Sequence, residues 1–335
     1  MINIDDLKTN IEDKITNNKN IIIVPHKYVD FDALGSSIGL SLITKKFKRE
    51  PFIIIDDIFY ELDRHVQSLI KETRKDFGIV TSSQMPKDNR YYILTDVNKT
   101  YLTTVANYIT NPNEVTIIDH HESDENTVKS NNVFIDSHIS SASEIVTKLL
   151  LKMKIKIPSN VANYLLTGIY LDTKRLTKNV TSDTYYIAGK LTEFGANLNY
   201  VTELLSEDFE TERKIQDLVS KTRMITYKIA MILASDENEQ YNRKELAKAA
   251  DYALDYGVDA SFAVGKLDHK MVGVSARSKG NIDVGKLMHE IAGSSGGGNP
   301  YSAAASIDNK NIEEIGNDIS LVLKPSFYSE QKIKR

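Results

Sequence analysis

IIIVPHKYVDFDALGSS, residues 21–37, is the segment from which the fold of this chain can be predicted. It opens with an apolar, β-branched run that is typical of a buried parallel strand, and this run ends at Pro25. His26, Asp30 and Asp32 follow, and the small residues after them suit a helix that starts close against the strand. Because open α/β sheets bind ligands outside the carboxyl ends of their strands, we favour a metal site here over a polar turn with a chance histidine.

The composition excludes several classes of protein. The 335-residue chain has no cysteine, which excludes disulfides, thiolate metal sites and thiol nucleophiles, and its length suggests two domains. No apolar run is long enough to span a membrane, and the N-terminus has no signal-peptide pattern. The net charge of −4 argues against a non-specific binder of long nucleic acid. We therefore expect a cytoplasmic protein with a small-molecule or short-oligonucleotide partner and no membrane partner.

Three further apolar runs are predicted to be strands of the same sheet, and they cover residues 51–56, 91–95 and 115–118. The first ends in Asp56-Asp57, which we interpret as a capping turn. The second leads to Asp96, and the third leads to the triplet DHH at 119–121. Carboxyl ends of parallel strands meet at one edge of a sheet, so acids and histidines from separate strands can converge there on a metal.

Two predicted helices add to the same region. An apolar helix over 162–171 is followed by Asp172, a carboxylate that is costly to bury unless it is paired or bound to a metal. A second helix opens with the hydroxyl-rich run SSASEIV at 140–146, which includes Glu144 in its first turn. This start is either an ordinary N-cap or a helix N-terminus that faces an anion near the site, and both interpretations stay open.

Six residues of these segments are the predicted metal ligands, namely His26, Asp30, Asp32, Asp96, His120 and Asp172. Their four carboxylates would balance two divalent cations. Oxygen-rich ligands with imidazole and no thiolate favour manganese, with magnesium as the alternative. Two such cations stabilise an attacking hydroxide and a leaving oxygen together, which is what hydrolysis of a phosphate ester requires. The sequence therefore predicts a metal-dependent phosphoesterase.

The second half of the chain is predicted to be a smaller α+β domain. Its first strand is predicted at 224–233, and an antiparallel pair of strands is predicted at 260–266 and 270–278. The run Gly296-Gly297-Gly298-Asn299 is a flexible loop by default, although consecutive glycines let backbone amides approach a phosphate closely. A short basic tail after 324 is predicted to be solvated. The predicted divisions are a catalytic domain at 1–190, a helical connector at 191–223 and a substrate-binding domain at 224–335.

These motifs resemble those of the DHH-family phosphoesterases. The resemblance rests on HKYVDFDALGS at 26–36, Asp96, the triplet at 119–121 and Leu171-Asp172-Thr173. The second half resembles the DHH-associated domain, including its glycine turn and the run Ser275-Ala276-Arg277-Ser278. The match covers nearly the whole chain. The particular residues of its motifs are similar to those in the catalytic part of bacterial cyclic-di-AMP phosphodiesterases. The family fold implied is a parallel α/β domain joined to a smaller α+β domain, with substrate in the cleft between them.

The resemblance also implies roles for individual residues. One manganese ion would be held by His26, Asp30 and Asp96, and a second by Asp32, Asp96, His120 and Asp172. His121 would contact phosphate as a catalytic residue. Asp119 would orient the side chain of His121 without contacting the phosphate itself. The associated domain would bind the far end of the nucleotide through Ser275, Arg277, Gly296, Gly297, Gly298 and Asn299.

Two departures from the family pattern bear on function. The family's glycine turn continues into histidine, whereas this chain has Asn299, which can donate a hydrogen bond but carries no charge. The membrane-spanning and sensory segments of the long cyclic-di-AMP enzymes are absent from the sequence. We therefore expect either a free-standing member of the family or an excised catalytic portion.

Three functions remain open at this point. The first is hydrolysis of cyclic-di-AMP to linear diadenylate (pApA) and onward to AMP. The second is a nanoRNase-like hydrolysis of short oligoribonucleotides or linear dinucleotides, which would extend to 3′-phosphoadenosine 5′-phosphate. The third is a nucleotide-binding protein that has lost catalysis through Asn299. All three imply a small nucleotide partner, and a homodimer is left open.

Overall fold

A computed structural model of the chain describes residues 2–56, 62–234 and 239–330. The chain forms two units, Met1–Ser206 and Glu207–Arg335. The predicted capping residue Asp57 and the last five residues of the predicted basic tail lie outside the described residues. Asp56 itself accepts a hydrogen bond from the backbone N–H of Ser82 at 2.7 Å, which is a structural role.

Unit 1 contains one parallel sheet of six strands. Along the chain these strands are β1 (Asn20–Val24), β2 (Pro51–Ile54), β3 (Ile79–Val80), β4 (Arg90–Thr95), β5 (Val115–Asp119) and β6 (Asn132–Ile135). Their order in the sheet is β3-β2-β1-β4-β5-β6, and every neighbouring pair is parallel. The predicted parallel α/β fold is therefore confirmed, with two short edge strands that the sequence pattern did not reveal.

Strand β1 is central because both of its faces are buried. Ile21 and Ile23 belong to one hydrophobic cluster, whereas Ile22 and Val24 belong to a second. This double burial explains why β1 is apolar throughout rather than alternating. The direction in which successive strands are added reverses between β1 and β4, and parallel sheets bind their ligands at such a switch point.

Seven α-helices complete unit 1 as described, and they are α1 (Ile4–Asn17), α2 (Phe31–Lys46), α3 (Arg64–Phe77), α4 (Ala142–Lys152), α5 (Ser159–Asp172), α6 (Ser182–Glu193) and α7 (Leu198–Leu204). Helix α2 begins directly after Asp30, whose Oδ1 accepts hydrogen bonds from the backbone N–H groups of Asp32 and Ala33 at 2.9 and 3.0 Å. This cap starts the helix at Phe31, before the small residues that were expected to form it.

Helices α2 and α5 cross at two glycines. A Cβ atom on Gly35 would lie 2.6 Å from the carbonyl oxygen of Tyr164, and one on Gly168 would lie 2.8 Å from the Cα of Asp32. Neither position can carry a side chain unless the backbone moves. The close crossing brings the start of α2, with Asp32, to the end of α5, with Asp172.

Unit 2 is the smaller α+β unit that the sequence predicted. Its elements are α8 (Phe209–Ser220), β7 (Thr222–Thr226), β8 (Ile229–Leu233), α9 (Arg243–Leu254), β9 (Ala260–Lys266), β10 (Met271–Ser278), α10 (Val284–Ala292), β11 (Gly296–Gly298), β12 (Ser302–Asp308) and α11 (Ile312–Glu330). The sheet order is β11-β12-β10-β9-β8-β7, with only the β8–β9 pair parallel in this sheet as described.

Three features of the chain differ from the sequence-based expectation or extend it. The strand expected at 224–233 is a hairpin, because the chain turns at Tyr227-Lys228 without glycine or proline. The glycine run is an edge strand paired with β12 rather than a flexible loop. The predicted connector, 191–223, is divided, with α7 in unit 1 and α8 in unit 2. Among the described residues, no helix has the length and apolar character needed to cross a membrane.

Candidate metal centre

Three of the six predicted ligands follow the carboxyl ends of neighbouring strands. His26 follows β1, and Asp96 follows β4 directly in a left-handed conformation with φ 56°. The backbone N–H of Asp96 donates to the carbonyl of Ile118 at 3.0 Å, which ties this residue to the neighbouring strand β5. His120 follows β5. The sheet therefore sets three candidate ligands side by side at one edge.

Three residues form the first group that could hold a cation, namely His26, Asp30 and Asp96. The Nε2 atom of His26 lies 3.4 Å from Asp96 Oδ2 and 3.7 Å from Asp30 Oδ1. Asp96 is 3% exposed, so its charge is shielded from solvent at the base of the group.

Four residues form the second group, namely Asp32, Asp96, His120 and Asp172. His120 Nε2 is the central atom, since it lies 3.1 Å from Asp172 Oδ2 and 3.3 Å from Asp96 Oδ1. Asp32 Oδ2 is 3.9 Å from the same nitrogen. The two groups share Asp96, so the structure brings all six predicted ligands to one place.

The predicted catalytic pair belongs to a third overlapping group, which consists of Asp96, Asp119, His120 and His121. Asp119 Oδ1 lies 2.9 Å from His121 Nδ1 and accepts the backbone N–H of His120 at 2.8 Å. These contacts fix the turn after β5 and the orientation of the His121 ring. Asp119 is fully buried, whereas the side chain of His121 is 56% exposed and open to a substrate.

The hydroxyl-rich start of α4 does face an anion, and that anion is Asp32. The backbone N–H of Ala142 donates to Asp32 Oδ2 at 2.7 Å, and that of Ser143 donates to Oδ1 at 2.8 Å. Ser141 caps the same helix through its side chain. Both interpretations of this segment therefore hold, and the positive end of the helix stabilises a fully buried carboxylate.

The two imidazoles among the six predicted ligands, those of His26 and His120, favour the protonated form when no cation is bound. Burial lowers the pKa of His26, but the carboxylates of Asp30 and Asp96 outweigh it and raise the pKa to about 11. Burial likewise opposes protonation of His120, and Asp172 and Asp96 raise its pKa well above the usual value.

The pKa values of the carboxylates shift in two directions. Burial, with the charges of Asp96 and Asp172, raises the pKa of Asp32 well above its usual value. Burial also raises the pKa of Asp172, to about 6. For Asp96, burial is outweighed by His120 and His26, which lower its pKa. Without a cation, the centre therefore holds bound protons, and these supply the positive charge that a cation would otherwise supply.

Unsatisfied atoms at the centre fit a cation. Asp96 Oδ1, Asp119 Oδ2 and His120 Nε2 are buried, and none of them makes a hydrogen bond of good geometry among the described residues, although His120 Nε2 lies 3.1 Å from Asp172 Oδ2. Such atoms cost free energy unless something binds them. A divalent cation would satisfy Asp96 Oδ1 and His120 Nε2 together, and the donor set of carboxylates and imidazoles suits one.

We expect cation binding to release protons and to weaken as the pH falls. A ligand imidazole must be neutral, and the raised pKa values of His26, His120 and Asp32 mean that the cation-free centre carries more protons than the loaded one. Affinity for Mn²⁺ should thus fall about tenfold per pH unit for each proton released. Calorimetric titration in two buffers of different ionisation enthalpy counts these protons. His26→Gln should remove about one of them; an affinity independent of pH would contradict this charge assignment.

In unit 2, the predicted substrate residue Arg277 is held in place by neighbouring groups. Its Nε donates to Asp251 Oδ1 at 3.2 Å, and its Nη1 donates to Ser275 Oγ at 3.3 Å. Asp251 was not predicted, because a carboxylate on α9 carries no signal of its strand partner. Register pairs Arg277 with Ser302 and Gly298 with Ala303, so Arg277 and the glycine strand lie toward the same end of the sheet.

Asn299 closes the turn between β11 and β12. Its Oδ1 accepts the backbone N–H groups of Tyr301 and Ser302, both at 2.9 Å. Asn299→Ala should therefore lower the free energy of unfolding by about 1 kcal/mol, because two backbone donors lose their partner. Asn299→Asp keeps the acceptor and should match the unchanged protein in urea denaturation. An equal loss for both variants would show that the side chain does not support the turn.

Sequence reasoning also missed two residues that hold the DHH triplet. Asn98 Nδ2 donates to the carbonyl of His121 at 3.1 Å, and Lys99 Nζ donates to that of Glu122 at 2.7 Å. The backbone N–H of Lys27 donates to the carbonyl of Leu102 at 2.9 Å, which fixes the segment after β1. Their nearness to Asp96 and His26 in the sequence was the one available signal.

Comparison with known proteins agrees with this geometry. Residues 20–169 match the DHH family, N-terminal domain, and residues 210–324 match the DHHA1 domain. Cyclic-di-AMP phosphodiesterase GdpP of Geobacillus thermodenitrificans is 30% identical over 315 residues, which are 91% of this chain and 47% of that protein. The chain thus spans about half the length of this relative.

Solved structures show the same fold. An exopolyphosphatase-related protein from Bacteroides fragilis superposes with a TM-score of 0.79 at 20% identity, over 95% of this chain and 96% of that one. Exonuclease RecJ, solved with manganese, has a TM-score of 0.54 at 11% identity, over 96% of this chain and 94% of its own. With both domain matches in sequence order, the chain belongs to the DHH family and consists of a DHH domain followed by a DHHA1 domain.

Proposed function

We propose that this chain is a phosphodiesterase that uses two divalent cations in unit 1, manganese for preference and magnesium as the alternative. The observation that carries the proposal is that three candidate cation groups meet at one buried carboxylate, Asp96. The proposed ligands of one cation are His26, Asp30 and Asp96, and those of the other are Asp32, Asp96, His120 and Asp172. Manganese in the similar RecJ structure is consistent with this choice.

Two such cations, when bound, polarise the phosphodiester and stabilise the negative charge that develops during hydrolysis. The side chains of the protein have separate tasks in this proposal. Asp96 would be a ligand of both cations. His121 contacts a phosphate oxygen, because Asp119 engages its Nδ1 and leaves Nε2 for the substrate. Arg277, oriented by Asp251, would pair with a second phosphate of the nucleotide.

We propose cyclic-di-AMP as the substrate, with linear diadenylate and then AMP as products. In each step one water molecule cleaves one P–O bond. The support is the similarity of 91% of the chain to cyclic-di-AMP phosphodiesterases of three bacteria. A nanoRNase-like activity on short oligoribonucleotides, linear dinucleotides or 3′-phosphoadenosine 5′-phosphate would use the same cations and is the competing outcome. A cytoplasmic location is part of the proposal and fits the absence of cysteine.

A time course with Mn²⁺ tests the proposal, with cyclic-di-AMP, pApA and a short RNA compared by chromatography. We expect the cyclic compound to disappear first, with pApA as its first product. Hydrolysis confined to the linear substrates would identify a scavenging nuclease instead. Tight binding of cyclic-di-AMP without hydrolysis would identify a nucleotide-binding protein.

A further inference from the structure

One buried acid near the centre has no part in the proposed chemistry. Glu144 in α4 is fully buried, and its Oε2 accepts hydrogen bonds from Ser140 Oγ at 2.5 Å and Thr184 Oγ1 at 2.8 Å. Its Oε1 lies 2.7 Å from Lys148 Nζ. Burying a carboxylate is costly. The partners of Glu144, which lie on two helices and on the turn before α4, offset that cost and hold its side chain in one position.

The first hydrogen-bond donor to Glu144, Ser140, connects this acid with Asp32. Ser140 lies just before the N-cap of α4, so its hydrogen bond to Glu144 fixes the turn from which the helix starts. The first two N–H groups of that helix, from Ala142 and Ser143, hold the two carboxylate oxygens of Asp32. The position of the Asp32 carboxylate therefore depends on how this turn is held.

The second partner leads to Asp172. The segment from Asp172 to α6 contains three consecutive left-handed residues, Lys174–Leu176, with φ between 46° and 63°. Such backbone is strained and persists only where its surroundings determine it. Thr173 holds the first end, since its carbonyl accepts the N–H groups of Thr177 and Lys178 at 2.9 and 2.8 Å.

The other end of this segment is held at the start of α6. Thr184 donates to Glu144, and Asp183 lies 3.1 Å from Lys148 Nζ. Glu144 thus contacts one element that fixes Asp32 and another that follows Asp172. These are the two carboxylates that the proposed second cation does not share with the first.

We propose that Glu144 is a positioning residue that couples Asp32 to Asp172 and so sets the affinity of the second cation. The inference rests on the proposed two-cation function and assigns a residue that acts without touching cation or substrate. It predicts a selective effect. Loss of Glu144 should weaken one cation site and spare the site of His26, Asp30 and Asp96.

Calorimetric titration of the cation-free full chain with Mn²⁺ tests this. The unchanged protein should bind two equivalents. Glu144→Ala should still bind one with normal affinity, and its second should bind about 10- to 100-fold more weakly. The pair Glu144→Gln with Lys148→Met keeps an acceptor for both hydroxyls and removes both charges, so it should recover most of the lost affinity. Thr184→Val removes one hydrogen bond and should weaken the second site by about tenfold.

A matched control is Glu207→Ala in unit 2. Glu207 is another acid with a largely covered side chain, which is 9% exposed and lies 2.7 Å from Lys244 Nζ and 2.6 Å from Lys248 Nζ. Its loss should lower stability and leave both Mn²⁺ equivalents unchanged.

Two normal equivalents in both Glu144→Ala and Thr184→Val would overturn the inference, and so would equal weakening of both sites. If Glu144→Ala does not fold, Thr184→Val and the double variant decide alone. If the unchanged protein binds fewer than two equivalents, the proposed function itself fails.

Discussion

Asp96→Asn should abolish phosphodiester hydrolysis, with turnover at least about a thousandfold below that of the unchanged protein. Asp96 is the one residue shared by all three candidate cation groups, and its Oδ1 has no hydrogen-bond partner among the described residues. Loss of its charge removes a ligand from both proposed sites at once. The charge stabilisation lost is several kcal/mol, and each step of about 1.4 kcal/mol lowers the rate tenfold.

Asparagine is the better replacement at this position because Asp96 has φ 56°, a conformation that asparagine tolerates and alanine does not. Asp96→Ala should also be inactive, but with added backbone strain. Hydrolysis of cyclic-di-AMP is measured together with Mn²⁺ stoichiometry. Asp136→Asn is the matched control, since Asp136 is also a buried acid directly after a strand and belongs to none of the cation groups of the described residues. Near-normal turnover in Asp96→Asn would refute the shared-ligand assignment.

Gly168→Val should lower the free energy of unfolding by about 3 kcal/mol and weaken cation binding as well. A Cβ at this position would lie 2.4 Å from Ser143 Oγ and 2.8 Å from both the Cα and Oδ1 of Asp32. The Cα belongs to the backbone of α2 and cannot turn aside as a side chain could. Relief of the overlap must therefore separate α2 from α5, and with them Asp32 from Asp172.

Gly189→Val is the control for this prediction. Gly189 also lies within a helix, α6, but a Cβ there would meet nothing within 4 Å. This change should alter stability by no more than about 0.5 kcal/mol. Urea denaturation of the cation-free proteins compares the two variants, and calorimetry with Mn²⁺ follows. Equal stability of the Gly168 and Gly189 variants would mean that the helix crossing is not as tight as described.

The sequence was sufficient for the parallel sheet because buried strands leave continuous apolar runs and because their ends carried acids and histidines. It could not reveal the edge strands β3 and β6, because runs of two and four residues are too short to show a strand pattern. The glycine run was wrongly expected to be a flexible loop, since glycine indicates backbone freedom but not the strand that pairs with it.

Contacts between distant residues were the least predictable part of the candidate centre. Asp32 and the N–H of Ala142 are 110 residues apart, so an anion near α4 could be suspected but not named. The same limit applies to Asp251 beside Arg277 and to Thr184 beside Glu144, because hydroxyls and acids on helices carry no mark of their partners. The assignment of individual ligands to two cations came from the family resemblance rather than from spacing, and it stays a prediction.

The candidate ligands extend from His26 to Asp172 and come from four separate parts of unit 1, so this centre exists only when most of the unit is folded. Cations that bind only the folded form at one hundred times their dissociation constant add about 2.7 kcal/mol of stability per site. That contribution is large against the total stability of a typical domain. Depletion of manganese would then leave unit 1 open to proteases more often, and the lifetime of the protein in the cell would follow its supply of metal.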